Sequence, residues 1–238
     1  MSFFWDGLTQ AWHLITSGDP YLLHLLWVTL KVTGLSTGVA LLVGLPLGLL
    51  LGLGRFRGRG VALVLANAGL SLPPVVVGLV LALLMFPRAP LGHLHLLFTL
   101  RGVYVAQTAL ALPVVVALAA AAVRGVPEGL LAQAAALGAS RSQVWALALR
   151  EARVGVLAAA IAAAGSGLSE VGAVVLVGGN IEGVDQTLAS AALQKVDAGQ
   201  FSQGVAIGIV LLGLIAVVIA ALTYLQHREG RSLVRPSS

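Results

Sequence analysis

Residues 25–53 read LLWVTLKVTGLSTGVALLVGLPLGLLLGL, a predominantly apolar run with one formal charge, Lys31. A bilayer hydrocarbon core about 30 Å thick takes roughly 20 apolar residues of α-helix to cross, so this run is long enough to span. Working outward from it, four more runs of the same character lie at 61–86, 103–123, 154–177 and 204–225. None alternates as a barrel strand must, and lipid admits only helices or closed barrels because backbone polar groups have to be satisfied internally. The sequence therefore predicts an all-α membrane protein of about five transmembrane helices. Composition agrees: 58% of the 238 residues are hydrophobic, 10% are charged, and mean hydropathy is +0.99. Such a chain has no room for a sizeable soluble domain beside its spans.

A net charge of +5 and a pI near 10.4 would point to nucleic acid in a soluble protein. Here the basic residues sit between apolar runs, so they report topology, and no nucleic-acid partner is expected. One set of alternating segments holds Arg55, Arg57, Arg59, Arg124, Arg141, Arg150, Arg153, Arg228, Arg231 and Arg235, which is ten; the other holds Arg88, Arg101 and Lys195, which is three. That asymmetry places the N-terminus outside and the C-terminus in the cytoplasm. Residues 1–18 lack a basic n-region and a long apolar core, so they do not read as a cleavable signal peptide. Phe3, Phe4, Trp5, Trp12 and Ile15 instead suit an amphipathic helix lying in the interface. The expected organisation is an interfacial segment over 1–24, a membrane domain over 25–226 and a cytoplasmic tail over 227–238. There is no cysteine, which excludes disulfides, thiol nucleophiles and thiolate metal sites.

The long cytoplasmic stretch between the third and fourth runs is written as two helices. Pro127 and Glu128 suit a helix start, 130–137 is strongly helix-forming, and Gly138 suits the stop. Ser140 with Gln143 three residues on has capping-box spacing for a second helix. From these signals alone the hairpin either joins two spans or serves as a docking element.

The segment AQAAALGAS at 132–140 resembles the EAA loop of ABC importer permeases, whose pattern is Glu-Ala-Ala, three residues, then Gly. Ala134, Leu137 and Gly138 match, while Ala132 stands where the family usually has Glu, which puts a charged contact there in doubt. Further stretches are similar to oxyanion permeases of the molybdate and tungstate type: LSLPPVVVG at 70–78, PLG at 90–92 with LFT at 97–99, and SEVGA at 169–173 followed by GGNI at 178–181. LREAR at 149–153 and the double glycine before Asn180 look closer to the tungstate branch. The resemblance runs over 27–225 and implies the type I ABC importer permease fold, with 125–150 as the EAA-type loop. In that family the loop forms a coupling helix seated on an ATPase subunit, a role carried here onto Leu130, Leu131, Ala134, Leu137, Gly138, Ala139 and Ser140. The resemblance also implies an ATPase dimer, an extracytoplasmic substrate-binding protein and a second copy of this chain as partners, in the cell membrane of a prokaryote.

No Gly-x-x-x-x-Gly-Lys-Ser/Thr loop occurs, so no catalytic residue, metal or cofactor is expected in this chain, with ATP and Mg bound by the partner ATPase. A tetrahedral dianion is costly to bring into low dielectric, so its pathway should offer donors and small residues. The fourth run has them in Gly165, Ser166, Gly167, Ser169 and Glu170, with Ser166 and Glu170 four apart on one expected helix face. Close helix packing accounts for the same residues. Asn180, after two glycines, suits either a backbone anion nest or an ordinary turn. Lys31 and Glu170 lie at similar expected depths and form a candidate ion pair, against snorkelling by Lys31. Pro46, Pro73, Pro74 and Pro113 are expected to kink their helices. His93 and His95, with Arg88 and Arg101, form a basic outer rim suited to meeting the binding protein. A secondary transporter is the rival class, disfavoured by the odd span count and the lack of an inverted repeat.

Overall fold

A computed structural model describes residues 2–231, with side chains from 5 to 228; Met1, the side chains of Phe3, Phe4 and Arg231, and the tail from 232 including Arg235 lie outside the described residues. The chain forms only helices there: α1 Ser2–Ser17, α2 Pro20–Leu53, α3 Arg59–Gly69, α4 Pro74–Leu84, a 3₁₀ turn at Gly92–Leu94, α5 Leu100–Arg124, α6 Glu128–Ala136, α7 Arg141–Glu151, α8 Arg153–Leu168, α9 Gly172–Gly178, α10 Leu188–Asp197 and α11 Phe201–Arg231. Three of them, α2, α5 and α11, are long and apolar enough to cross a membrane unaided.

The other two expected spans are broken, which corrects the reading of five continuous helices. Between α3 and α4 the chain bends by 104°, and between α8 and α9 by 60°. Pro73 and Pro74 cause the first break, since proline lacks an N–H and disfavours the α region in the residue before it. Leu70 N and Ser71 N close tight turns on Asn67 O and Ala68 O, and α4 restarts with Pro74 at its first position. Pro46 and Pro113, in contrast, sit inside the unbroken helices α2 and α5. The second break has no proline. There Ser169 Oγ donates to Gly165 O and Ser166 O, competing for last-turn carbonyls, and the Glu170 carboxylate accepts from Ala173 N to start α9.

By packing the chain divides into two compact units, one drawn from Met1–Ser36, Leu72–Leu110 and Ala164–Val218, the other from Thr37–Ser71, Ala111–Ala163 and Ile219–Ser238. In the first, α4 lies on α9. A Cβ built at Gly78 would fall 2.6 Å from Ala173 Cα, and one at Gly172 2.6 Å from Val75 Cγ2, so two half-helices meet nearly backbone to backbone. α1 packs Gly7 against Val205 and buries Ala11 in a cluster with Leu22, Leu25 and Leu188, leaving Trp5, Leu8, Trp12 and Ile15 exposed. α2 already begins at Pro20, inside the stretch assigned to the interface.

The second unit is held by a seam between α2 and α5. Gly44, Gly48 and Gly52 recur every four residues, and Cβ atoms there would meet Val115, Ala119 and Val123 at 2.6–2.7 Å. Without a hydrophobic drive between helices in lipid, such close approach gives dispersion its range. Arg59 closes the end of α2 by donating from Nε to Leu51 O and from Nη2 to Gly52 O, both at 2.7 Å. The segments contributing to this unit carry ten of the chain's fourteen Lys and Arg.

Candidate functional site

The hairpin after α5 is built from its termini inward. α6 starts behind Pro127 with Glu128 in its first turn, which suits the positive end of the helix dipole. It ends in a Schellman motif: Gly138 at φ +90°, Gly138 N on Ala135 O and Ala139 N on Ala134 O, both at 3.0 Å. Ser140 then caps α7 with the capping box its spacing predicts, as Gln143 N donates to Ser140 Oγ and Ser140 N to Gln143 Oε1. Leu130 and Leu131 pack with Trp145 and Leu149 around Val123, Val126, Ala148 and Ala152. Ala134 and Ala139 are half-buried, and Leu137 is 90% exposed at the tip. The hairpin is thus pinned by its base while its turn presents one bare leucine.

In the other unit, the predicted pathway residues divide. Ser166 and Ser169 are exposed, but Glu170 is only 8% exposed and is spent on α9. Ser166 and Glu170 do not share a helix face, because α8 ends between them at Leu168. Lys31 is exposed and forms no ion pair with Glu170; the two are not brought together. Asn180 has φ +56° and donates from Nδ2 to Ser190 O, which ties the turn after α9 to the start of α10. No group of acids, histidines or cysteines among the described residues could hold a metal. His95, at φ +49°, and Phe98, at φ +56°, line a cavity of about 280 Å³ with Met85 and Pro87 in the loop before α5.

The structure adds polar groups that sequence reasoning passed over. Gln107 of α5 donates from Nε2 to Gly167 O at 3.0 Å, and its Oε1 and Thr33 Oγ1 are both buried without a hydrogen-bond partner beside the bare Cα of Gly167. The signal was present: Thr29, Thr33, Ser36 and Thr37 repeat at helical spacing along α2. Asp185 is fully buried; its Oδ1 accepts from Ile181 N at 2.6 Å, while Oδ2 lies against Gly178 with no partner. Burial pushes its carboxyl above the ordinary carboxylate range, with the Ile181 amide pulling the other way. The loop's helix α10, capped reciprocally by Thr187 and Ser190, was also unforeseen.

Comparison with known proteins is consistent across sequence and fold. Residues 44–231 match the family model described as binding-protein-dependent transport system inner membrane component. The chain is 38% identical over 205 residues to a probable anion ABC transporter permease protein of Haloferax volcanii, covering 84% of this chain and 88% of that one. It is 30% identical over 229 residues to the tungstate uptake system permease protein TupB of Peptoclostridium acidaminophilum, covering 96% and 100%. To the molybdenum transport system permease protein ModB of Azotobacter vinelandii it is 31% identical over 215 residues, 86% and 95%. Among solved structures it is similar to a chain of the inward-facing MetNI methionine ABC transporter, with a TM-score of 0.69 at 22% identity over 90% of this chain and 97% of that one.

Proposed function

The chain belongs to the binding-protein-dependent transport system inner membrane component family, and from that premise we propose that it is the membrane-spanning subunit of an ATP-driven importer for a tetrahedral oxyanion, tungstate foremost. The observation that carries this reading is the 128–151 hairpin, whose Schellman turn and capping box hold an exposed Leu137 on a rigid base. A partner ATPase takes that tip into a groove; ATP binding draws two ATPase subunits together and moves two docked hairpins as rigid bodies. The pathway forms between two copies of this chain, and a binding protein delivers the anion from outside. Cargo specificity is the finer step. Tungstate relatives at 30% and 31% identity and a molybdenum relative at 31% stand level, and the tungstate choice rests on the 149–153 and 178–181 stretches.

Within the pathway, Ser166 is the better anion donor of the two exposed serines. Ser169 already commits its hydroxyl proton to Gly165 O and Ser166 O and so turns lone pairs outward. Glu170 positions the start of α9 and does not contact the anion.

The test is uptake of radiolabelled tungstate into vesicles holding this chain with its ATPase and binding protein. ATP-dependent accumulation that Ser166→Ala slows by about tenfold, the loss of one hydrogen bond to a charged group, is expected. Accumulation that ignores ATP depletion would overturn the importer reading, and preference for molybdate at equal concentration would reassign the cargo alone.

A further inference from the structure

In the unit that contains the hairpin, an apolar groove of about 520 Å³ runs along α2 from Gly38 to Leu49, with Trp145 and Leu149 of α7 as its second wall. Leu42, in the middle of the α2 wall, is 75% exposed, and a Cβ at Gly38 would meet nothing within 4 Å. At a rise of 1.5 Å per residue the stretch from Gly38 to Leu49 measures about 16 Å. That is the hydrocarbon depth of one leaflet, half of about 30 Å.

The α7 wall is graded. Arg141, Trp145 and Leu149 fall four apart on one face, so a charged, an aromatic and an aliphatic side chain follow one another in order. The Arg141 guanidinium sits 5.3 Å from the centre of the Trp145 ring, and both Arg141 and Arg150 are exposed. Tryptophan favours the membrane–water boundary, and a guanidinium fork matches a phosphate. An anionic head group followed by an apolar tail has the complementary sequence of properties. The crossing segments of a second copy carry one carboxylate, Glu170, and that is buried, so a second copy could meet Arg141 only with its hairpin acids Glu128 and Glu151, which have no long apolar tail behind them.

We propose that this groove seats one acyl chain of an anionic phospholipid from the leaflet on the cationic side, with the lipid phosphate on Arg141. The seat requires neither cargo nor ATPase, so its fate is independent of the transport reading.

The experiment uses the full chain with Trp5, Trp12 and Trp27 replaced by Phe, which leaves Trp145 as the only tryptophan. It is reconstituted in phosphatidylcholine vesicles doped either with dibrominated phosphatidylglycerol or with dibrominated phosphatidylcholine, at equal mole fraction. Trp145 should be quenched at a roughly fivefold lower fraction of the brominated phosphatidylglycerol, the preference that one surface arginine gives an anionic lipid. Arg141→Gln should bring the two curves together, and Gly38→Phe, which fills an open site without strain, should reduce quenching by both lipids. Circular dichroism and elution volume keep a misfolded variant from being read as a positive. Equal quenching by both lipids in the parent chain would mean ordinary boundary lipid, and no quenching by either would mean a protein surface covers the groove; each outcome overturns the proposal.

Discussion

Single residues in this chain do work that composition hides. Leu137 is the clearest: its apolar side chain is left 90% exposed beside a left-handed turn, and the proposed function seats it on the ATPase. Leu137→Asp should leave melting within about 0.5 kcal/mol of the parent, as exposed substitutions do, yet abolish co-purification with the ATPase. Asp185 works in the opposite direction. Its carboxyl is held protonated more readily in the fold than in the unfolded chain, so its folded pKa lies above the unfolded value of about 3.9. Stability is then unaffected below that value and falls as pH climbs through the raised folded pKa. Asp185→Asn carries no charge at any pH, so it should flatten the decline of melting temperature between acid and neutral pH and melt higher than the parent at neutrality. A pH series of thermal melts in detergent checks this, and a parallel shift at all pH values would count against it.

Elements were legible where one signal dominated. The runs at 25–53 and 103–123 and the 128–151 hairpin have length, stop residues and caps that agree, and the structure returns them with boundaries moved by a few residues. The breaks were legible only in part. Pro73 and Pro74 announced the first, but a kink in a continuous span was expected and the backbone instead restarts after a 104° bend. At Ser169–Val171 the break comes from side chains bonding to the backbone, Ser169 taking last-turn carbonyls and Glu170 the Ala173 amide, which an apolar count over the whole run does not register. Lys31 and Glu170 form no ion pair in the structure, where the Glu170 carboxylate accepts from Ala173 N. The glycine seam of α2 gives a prediction at this scale. Gly48→Val places a Cβ 2.6 Å from that of Ala119 and 3.1 Å from Val116 O, so the α2–α5 contact cannot close. A loss on the order of 1–3 kcal/mol is expected from overpacking, read as a lowered melting temperature, while Gly38→Val on the open side of the same helix should cost little.

For the whole molecule, the proposed account puts the hairpin in the cytoplasm, on the strength of ten cationic side chains on one set of segments against three on the other. Hydropathy and charge asymmetry, summed over many residues, carried the membrane class and the expected orientation; the class of machine came from the resemblance of 132–140 and the stretches around it, and the cargo rested on a few residues at 149–153 and 178–181. The absence of cysteine makes the decisive measurement direct. Leu137→Cys gives a chain with a single thiol, to be challenged in intact cells with a membrane-impermeant maleimide. The account predicts no labelling until the membrane is opened, and then labelling that added ATPase suppresses. Labelling of Leu137→Cys from outside intact cells, or labelling in opened membranes that the ATPase leaves untouched, would contradict it.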